Sequence, residues 1–173
     1  MRDDEDGKAP SKRERGSPDE DGFDRMVEEI QQAIIKKEEE VYSERVLSEA
    51  KLPENMGAIE EPDATGGITG PCGDTIIFDL KVDSKGVVTD IMFRTDGCGA
   101  TVACASMVTK LIKGKKVAEA RELDSDKLEA ILGGLPDENK HCAVLSVDSL
   151  NDALDKLPLS KGGRSEKAGP EER

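Results

Sequence analysis

A chain of 173 residues is long enough for one domain with a real core and short for two. Its formal net charge of −13 and pI near 4.6 exclude nucleic acid and anionic membrane surfaces as natural partners and suit partners that present basic patches. Aromatic residues make up 2% and Trp is absent, so aliphatic side chains must build the core, and no apolar run approaches the ~20 residues of a membrane span.

The opening MRDDEDGKAP has neither the apolar stretch of a signal peptide nor the Arg-rich pattern of a transit peptide, which predicts a cytoplasmic setting. There, four cysteines are expected to bind metal or react rather than pair as disulfides. Residues 1–22 are nearly free of apolar side chains and cannot offset their chain entropy, so they are expected to be disordered. Phe23, Met26, Val27, Ile30 and Ile34 then follow a helical spacing. The run KKEEE reads as a solvated helix face; Tyr42, Val46 and Leu47 resume the stripe, and Pro53 ends it. One long helix or two shorter ones fit equally.

Residues 54–71 are loop-like, with residues 66–71 able to add a short strand. Residues 75–82 alternate, putting Ile76, Phe78, Leu80 and Val82 on one face and Thr75, Asp79 and Lys81 on the other. After a DSKG turn, residues 87–95 align Val87, Ile91 and Phe93, which predicts an antiparallel hairpin with one wet side. Beyond Cys98, Cys104, Ala105, Val108, Leu111 and Ile112 form a helical stripe that Gly114 can stop. Residues 117–121 read as a short helix. Asp124 can cap another, with Leu128, Ile131 and Leu132 apolar, ending at GGLP. The last helix, near 140–157, turns Ala143, Val147, Leu150, Leu154 and Leu157 inward, and Pro158 stops it. The expected fold is α+β: a small three-stranded antiparallel sheet packed by four to five helices, one domain over residues 23–157, between disordered N- and C-terminal tails at 1–22 and 158–173.

Cys72 precedes a strand in GPCGD, Cys98 lies between Gly97 and Gly99 at a strand-to-helix junction, and Cys142 follows the only histidine, His141, in the first turn of the last helix. Glycine permits a tight path off a strand, and a thiol at a helix N-terminus meets the positive dipole end, which favours thiolate. All three thiols can gather at one end of the sheet, in loops or element ends where functional residues concentrate. With Asp74 and His141 they form a soft donor set suited to iron–sulfur chemistry or zinc. No CxxC pair is present, which excludes a zinc ribbon or a thioredoxin-like motif. The competing reading, three small core residues, is opposed by their glycine and polar neighbours. Cys104 shares a stripe with Val108 and Leu111 and reads as a core thiol. A Cys–His nucleophile made of Cys142 and His141 is disfavoured, because adjacent residues at a helix start point in different directions.

Three stretches, GPCGDTIIFDLKV, FRTDGCGATVACASMVTKLIKGK and LPDENKHCAVLSVDSL, resemble the IscU/NifU family of iron–sulfur cluster assembly scaffolds, of the NifU N-terminal type. YSERVL followed by PENMGAIEEPDATGG resembles that family's N-terminal helix and next loop, so the likeness covers residues 41–157. It implies cluster ligation by Cys72, Cys98 and Cys142, with Asp74 or His141 as the fourth, non-thiolate ligand. It further implies a scaffold that is not itself an enzyme. Such a scaffold binds Fe2+, takes sulfur from a cysteine desulfurase, and hands a [2Fe–2S] cluster, or a [4Fe–4S] cluster coupled from two, to apo iron–sulfur proteins. An iron donor and a reducing ferredoxin are further implied partners, and a monomer or homodimer is compatible. Three thiolates with one exchangeable oxygen or nitrogen ligand suit transfer better than storage, and Zn2+ can take the same donors. Cys142, beside His141, is the first candidate for sulfur acceptor, followed by Cys98. The alternative is a zinc-binding module that regulates a desulfurase or relays its persulfide. Where many relatives carry an LPPVK stretch that recruits an Hsp70-type chaperone, this chain has Leu135, Pro136, Asp137, Glu138 and Asn139, which argues against that interaction. Tyr42 fits either a partner interface or core packing.

Overall fold

The computed structural model describes residues 18–158, and the expected tails over 1–17 and 159–173 lie outside the described residues. The chain divides into two units, residues 1–37 and 38–173. Helix α1 (Pro18–Val41), most of it in the first unit, takes in residues 18–22 of the expected N-terminal tail, since the missing N–H of proline costs nothing in a first helical turn. The helical spacing of its apolar residues is real, yet the face is solvent-exposed, with Phe23 61% accessible and Met26, Ile30 and Ile34 also exposed.

The second unit holds the core. The choice between one helix and two is resolved at Ser43, whose side chain accepts from Val46 N at 3.1 Å and so caps α2 (Glu44–Lys51). Strands β1 (Ala64–Thr69), β2 (Thr75–Val82) and β3 (Val88–Thr95) form an antiparallel sheet in the order β1-β2-β3. The third strand therefore starts two residues earlier than the 66–71 span predicts. Helices α3 (Gly99–Ile112), α4 (Val117–Ala120), α5 (Ser125–Leu132) and α6 (Lys140–Asp155) follow, with a 3-10 turn at Asp137–Asn139. Six α-helices thus stand among the described residues, against the four to five expected.

The inward strand face is the predicted one for Ile76, Phe78, Leu80 and Val82, all buried. Burying side chains of this size contributes about 1.5–3 kcal/mol each. On β3, Val88 rather than Val87 takes the buried position. Lys81 pairs with Asp90 and Val82 with Val88, a bulge that flips the alternation. The second sheet face is not wholly wet. Asp79 is 2% exposed and accepts from Thr65 Oγ1 at 2.7 Å, Ile59 N at 3.2 Å and Arg94 Nη2 at 3.0 Å, which ties the 54–63 loop to the sheet.

Helix α3 is buried almost all round rather than along one stripe, because it packs against α2, β3, α5 and α6. Helix α6 lies on β1 and β2 so closely that a Cβ on Gly66 would stand 2.3 Å from Ala153 Cα. A glycine is the residue that lets the helix backbone rest directly on the strand. These packings bring the start of β2, the end of β3 and the starts of α3 and α6 to one end of the sheet.

Candidate functional site

Each predicted site residue sits at that end. Cys72 is carried on a tight turn in which Gly73 N donates to Gly70 O at 3.0 Å, with Pro71 in the position proline favours and Gly73 at φ +92°. Gly70 N donates to Asp74 O at 2.8 Å and closes the loop onto β2. Leu145 of α6 lies against Gly70, so the first turns of α6 face this loop. Cys98 is the N-cap residue of α3, and Cys142 and His141 open α6.

Within the group, Thr101 is the meeting point. Its Oγ1 donates to Asp74 Oδ2 at 2.9 Å, lies 3.4 Å from Cys142 Sγ, and lies 3.5 Å from Cys98 Sγ. The same Asp74 oxygen accepts from Cys98 N at 3.3 Å. His141 Nε2 is 3.6 Å from Cys142 Sγ. Cys98, Cys142 and Asp74 therefore converge on one hydroxyl and His141 flanks it. Cys72 stands on the neighbouring turn, near enough for its charge to act on Cys142. Among the described residues, no three His, Cys, Asp or Glu side chains already form a metal-holding group.

The thiols are not equivalent. Cys72 and Cys98 are exposed; Cys104 and Cys142 are buried. Partial burial raises the Cys98 thiol, but it is outweighed by hydrogen bonding from the Thr101 hydroxyl and by the Thr101 and Ala100 N–H groups, leaving it below its ordinary value. Those N–H groups face the sulfur without closing a side-chain cap. Burial, helped by the nearby Cys98 and Cys72 charges, pushes Cys142 up to about 11 against the Thr101 hydrogen bond. Of the two candidate sulfur acceptors, Cys98 is exposed with its thiol lowered, whereas Cys142 is buried with its thiol raised. The start of α6 supplies a helix dipole, as expected, but packing over it removes the solvent a thiolate needs. Cys104 is wholly buried in the core and burial raises it strongly, as its stripe predicts.

Gly97 has a different reason from the one its position suggests. Its φ is not among the left-handed values; instead, a Cβ there would fall 2.6 Å from Asp74 Oδ2 and 2.6 Å from Thr101 Cγ2. Thr101 itself escaped notice, although lying three residues after Cys98 on a first helical turn puts it on the same face. Beside Cys98 opens a cleft of about 410 Å3, lined by Tyr42, Val46, Leu47, Ala50 and Asn139 among others. Tyr42 is half-buried in its wall and donates to Asn139 Oδ1 at 2.9 Å.

The family model described as NifU-like N terminal domain matches residues 41–162. The chain is 38% identical over 129 residues to the iron–sulfur cluster assembly scaffold protein IscU of Aquifex aeolicus, covering 73% of this chain and 82% of that one. It is 33% identical over 125 residues to the protein of the same name from Haemophilus influenzae, covering 70% and 98%. In fold it is similar to a NifU-like N-terminal protein of Brucella abortus, with a TM-score of 0.54 at 23% identity over 68% of this chain and 94% of that one.

Proposed function

The chain belongs to the NifU-like N-terminal domain family, and we propose that it is a scaffold on which an iron–sulfur cluster is assembled and then handed on. The observation that carries this is the convergence of Cys98, Cys142 and Asp74 on Thr101, with Cys72 on the adjoining turn and His141 alongside. Cysteine donors from three separate segments, plus a carboxylate that accepts two hydrogen bonds among the described residues, make a site that can bind iron and let it go. Cys98, exposed at a helix N-terminus, is the entry point for sulfur arriving as persulfide from a cysteine desulfurase. Attack by the Cys98 thiolate on the outer persulfide sulfur forms a new S–S bond and leaves the donor as thiolate. Cys72, Cys98 and Cys142 then ligate the cargo, with Asp74 or His141 in the fourth position.

The cargo is a [2Fe–2S] cluster built from Fe2+ and from persulfide sulfur that electrons from a reducing ferredoxin bring to sulfide, with [4Fe–4S] coupling open to a dimer, and apo iron–sulfur proteins in the cytoplasm are its recipients. Cleavage of the cysteine C–S bond belongs to the desulfurase; the chain takes the sulfur by thiol–persulfide exchange. Recruitment of an Hsp70-type chaperone is disfavoured, because Lys140 is tied to Asp137 at 2.8 Å and to Glu129 at 3.9 Å. Asn139 is engaged by Tyr42.

The test is anaerobic reconstitution with ferrous iron, cysteine and a desulfurase, comparing wild type with Cys72→Ser, Cys98→Ser, Cys142→Ser and Cys104→Ser. Acid-labile sulfide and a Mössbauer-visible cluster are expected in wild type and Cys104→Ser, and should be lost or sharply reduced in the other three. Stoichiometric zinc without sulfide under every condition would instead favour a zinc-binding module that regulates or relays from the desulfurase.

A further inference from the structure

We propose that the Thr101 hydroxyl is a positioning group that switches its single hydrogen-bond donation between the Asp74 carboxylate and the sulfurs of Cys142 and Cys98, and thereby sets how readily the cargo leaves. The proposal rests on the scaffold reading above and deepens it.

A hydroxyl has one proton to give and two lone pairs. Thr101 Oγ1 has three partners in reach, Asp74 Oδ2 at 2.9 Å, Cys142 Sγ at 3.4 Å and Cys98 Sγ at 3.5 Å, so it can donate to only one at a time. The shortest contact is to the carboxylate, and donation to a charged oxygen is the strongest of the three. Thr101 is fully buried, so its hydroxyl cannot be left without an acceptor cheaply. The space is built around this contact: any Cβ at residue 97 would collide with both the Asp74 carboxylate and the Thr101 side chain. Cys98 N reinforces it by donating to the same Asp74 oxygen.

Two arrangements follow. With no cargo, Thr101 holds Asp74 back and keeps Cys98 and Cys142 within one hydroxyl's reach. When Asp74 turns toward iron, the hydroxyl loses its best acceptor and must donate to a sulfur. A hydrogen bond to a ligating sulfur withdraws charge from it and alters the spectrum and potential of what it binds. Thr101 thus offers Asp74 a resting partner inside the protein, and the return of Asp74 to that partner favours release.

Thr101→Val keeps the side-chain shape and removes the hydroxyl; Thr101→Ser keeps the hydroxyl and removes the methyl. Each would be loaded with cluster, and three quantities measured: the rate of transfer to an apo-ferredoxin, the visible sulfur-to-iron bands, and, in cluster-free protein, hydrogen exchange at the Cys98 amide. Thr101→Val is expected to transfer about ten-fold more slowly, the scale of one charge-assisted hydrogen bond, with shifted bands and faster Cys98 amide exchange. Thr101→Ser is expected to match wild type in all three. Thr101→Val behaving as wild type, or Thr101→Ser as slow as Thr101→Val, would overturn the proposal, the second outcome by assigning the effect to packing. If Thr101→Val fails to fold, Thr101→Ala set against Thr101→Ser carries the same contrast. A wild type that loads no cluster would overturn the scaffold reading and this proposal with it.

Discussion

Four thiols in one small domain differ chiefly in what surrounds them. Cys98 gains hydrogen-bond donors from the first turn of α3 and keeps access to solvent, while Cys142, at an equivalent helix start, is covered. A lowered pKa means that the thiolate fraction rises at lower pH, so iodoacetamide labelling of Cys98 in cluster-free protein is expected to reach half-maximal rate below the ordinary 9.0. Cys142 is expected to stay protected until the pH approaches about 11. Peptide mapping across a pH series checks this, and Cys142 labelling first would reverse the assignment. The positions of Cys72, Cys98 and Cys142 were legible because each lies in a short glycine or histidine context at an element end. Their ranking was not, since solvent access depends on which distant side chains pack over them. The collision that keeps residue 97 a glycine joins Asp74 and Thr101 from different elements, and no spacing along the chain encodes it.

At the scale of elements, two-residue alternation identified β2 and β3, and 3.6-residue spacing identified α3, α5 and α6, because each presents an apolar face to a shared core. Alternation failed at Val87 and Val88, where a bulge adds a residue to one strand, and at Asp79, where a loop returns to cover the outer face. The three-stranded topology was legible, but the close seating of α6 on β1 was not. Gly66 has no signature apart from being glycine. Gly66→Ala places a methyl 2.3 Å from the Ala153 backbone, and overpacking of this kind costs about 1–3 kcal/mol. Urea unfolding is expected to show that loss as a lower midpoint at unchanged slope, whereas an unchanged midpoint would mean that α6 does not bear on β1 as described.

For the molecule as a whole, the family match begins at residue 41 and the compact second unit at residue 38. Deleting residues 1–37 is therefore expected to leave the yield of cluster in reconstitution unchanged; its abolition would show that the extension takes part in assembly. No helix among the described residues is long and apolar enough to cross a membrane. What the molecule presents instead is an acidic chain with one thiol-rich end, and its proposed work is to give that end's cargo away. The most direct measurement is transfer to an apo-ferredoxin in the presence of an iron chelator, followed by circular dichroism. Appearance of the ferredoxin spectrum despite the chelator, and its loss with Cys72→Ser, Cys98→Ser or Cys142→Ser, is the expected result. Complete interception by the chelator would contradict the transfer of an intact cluster and, with it, the scaffold role.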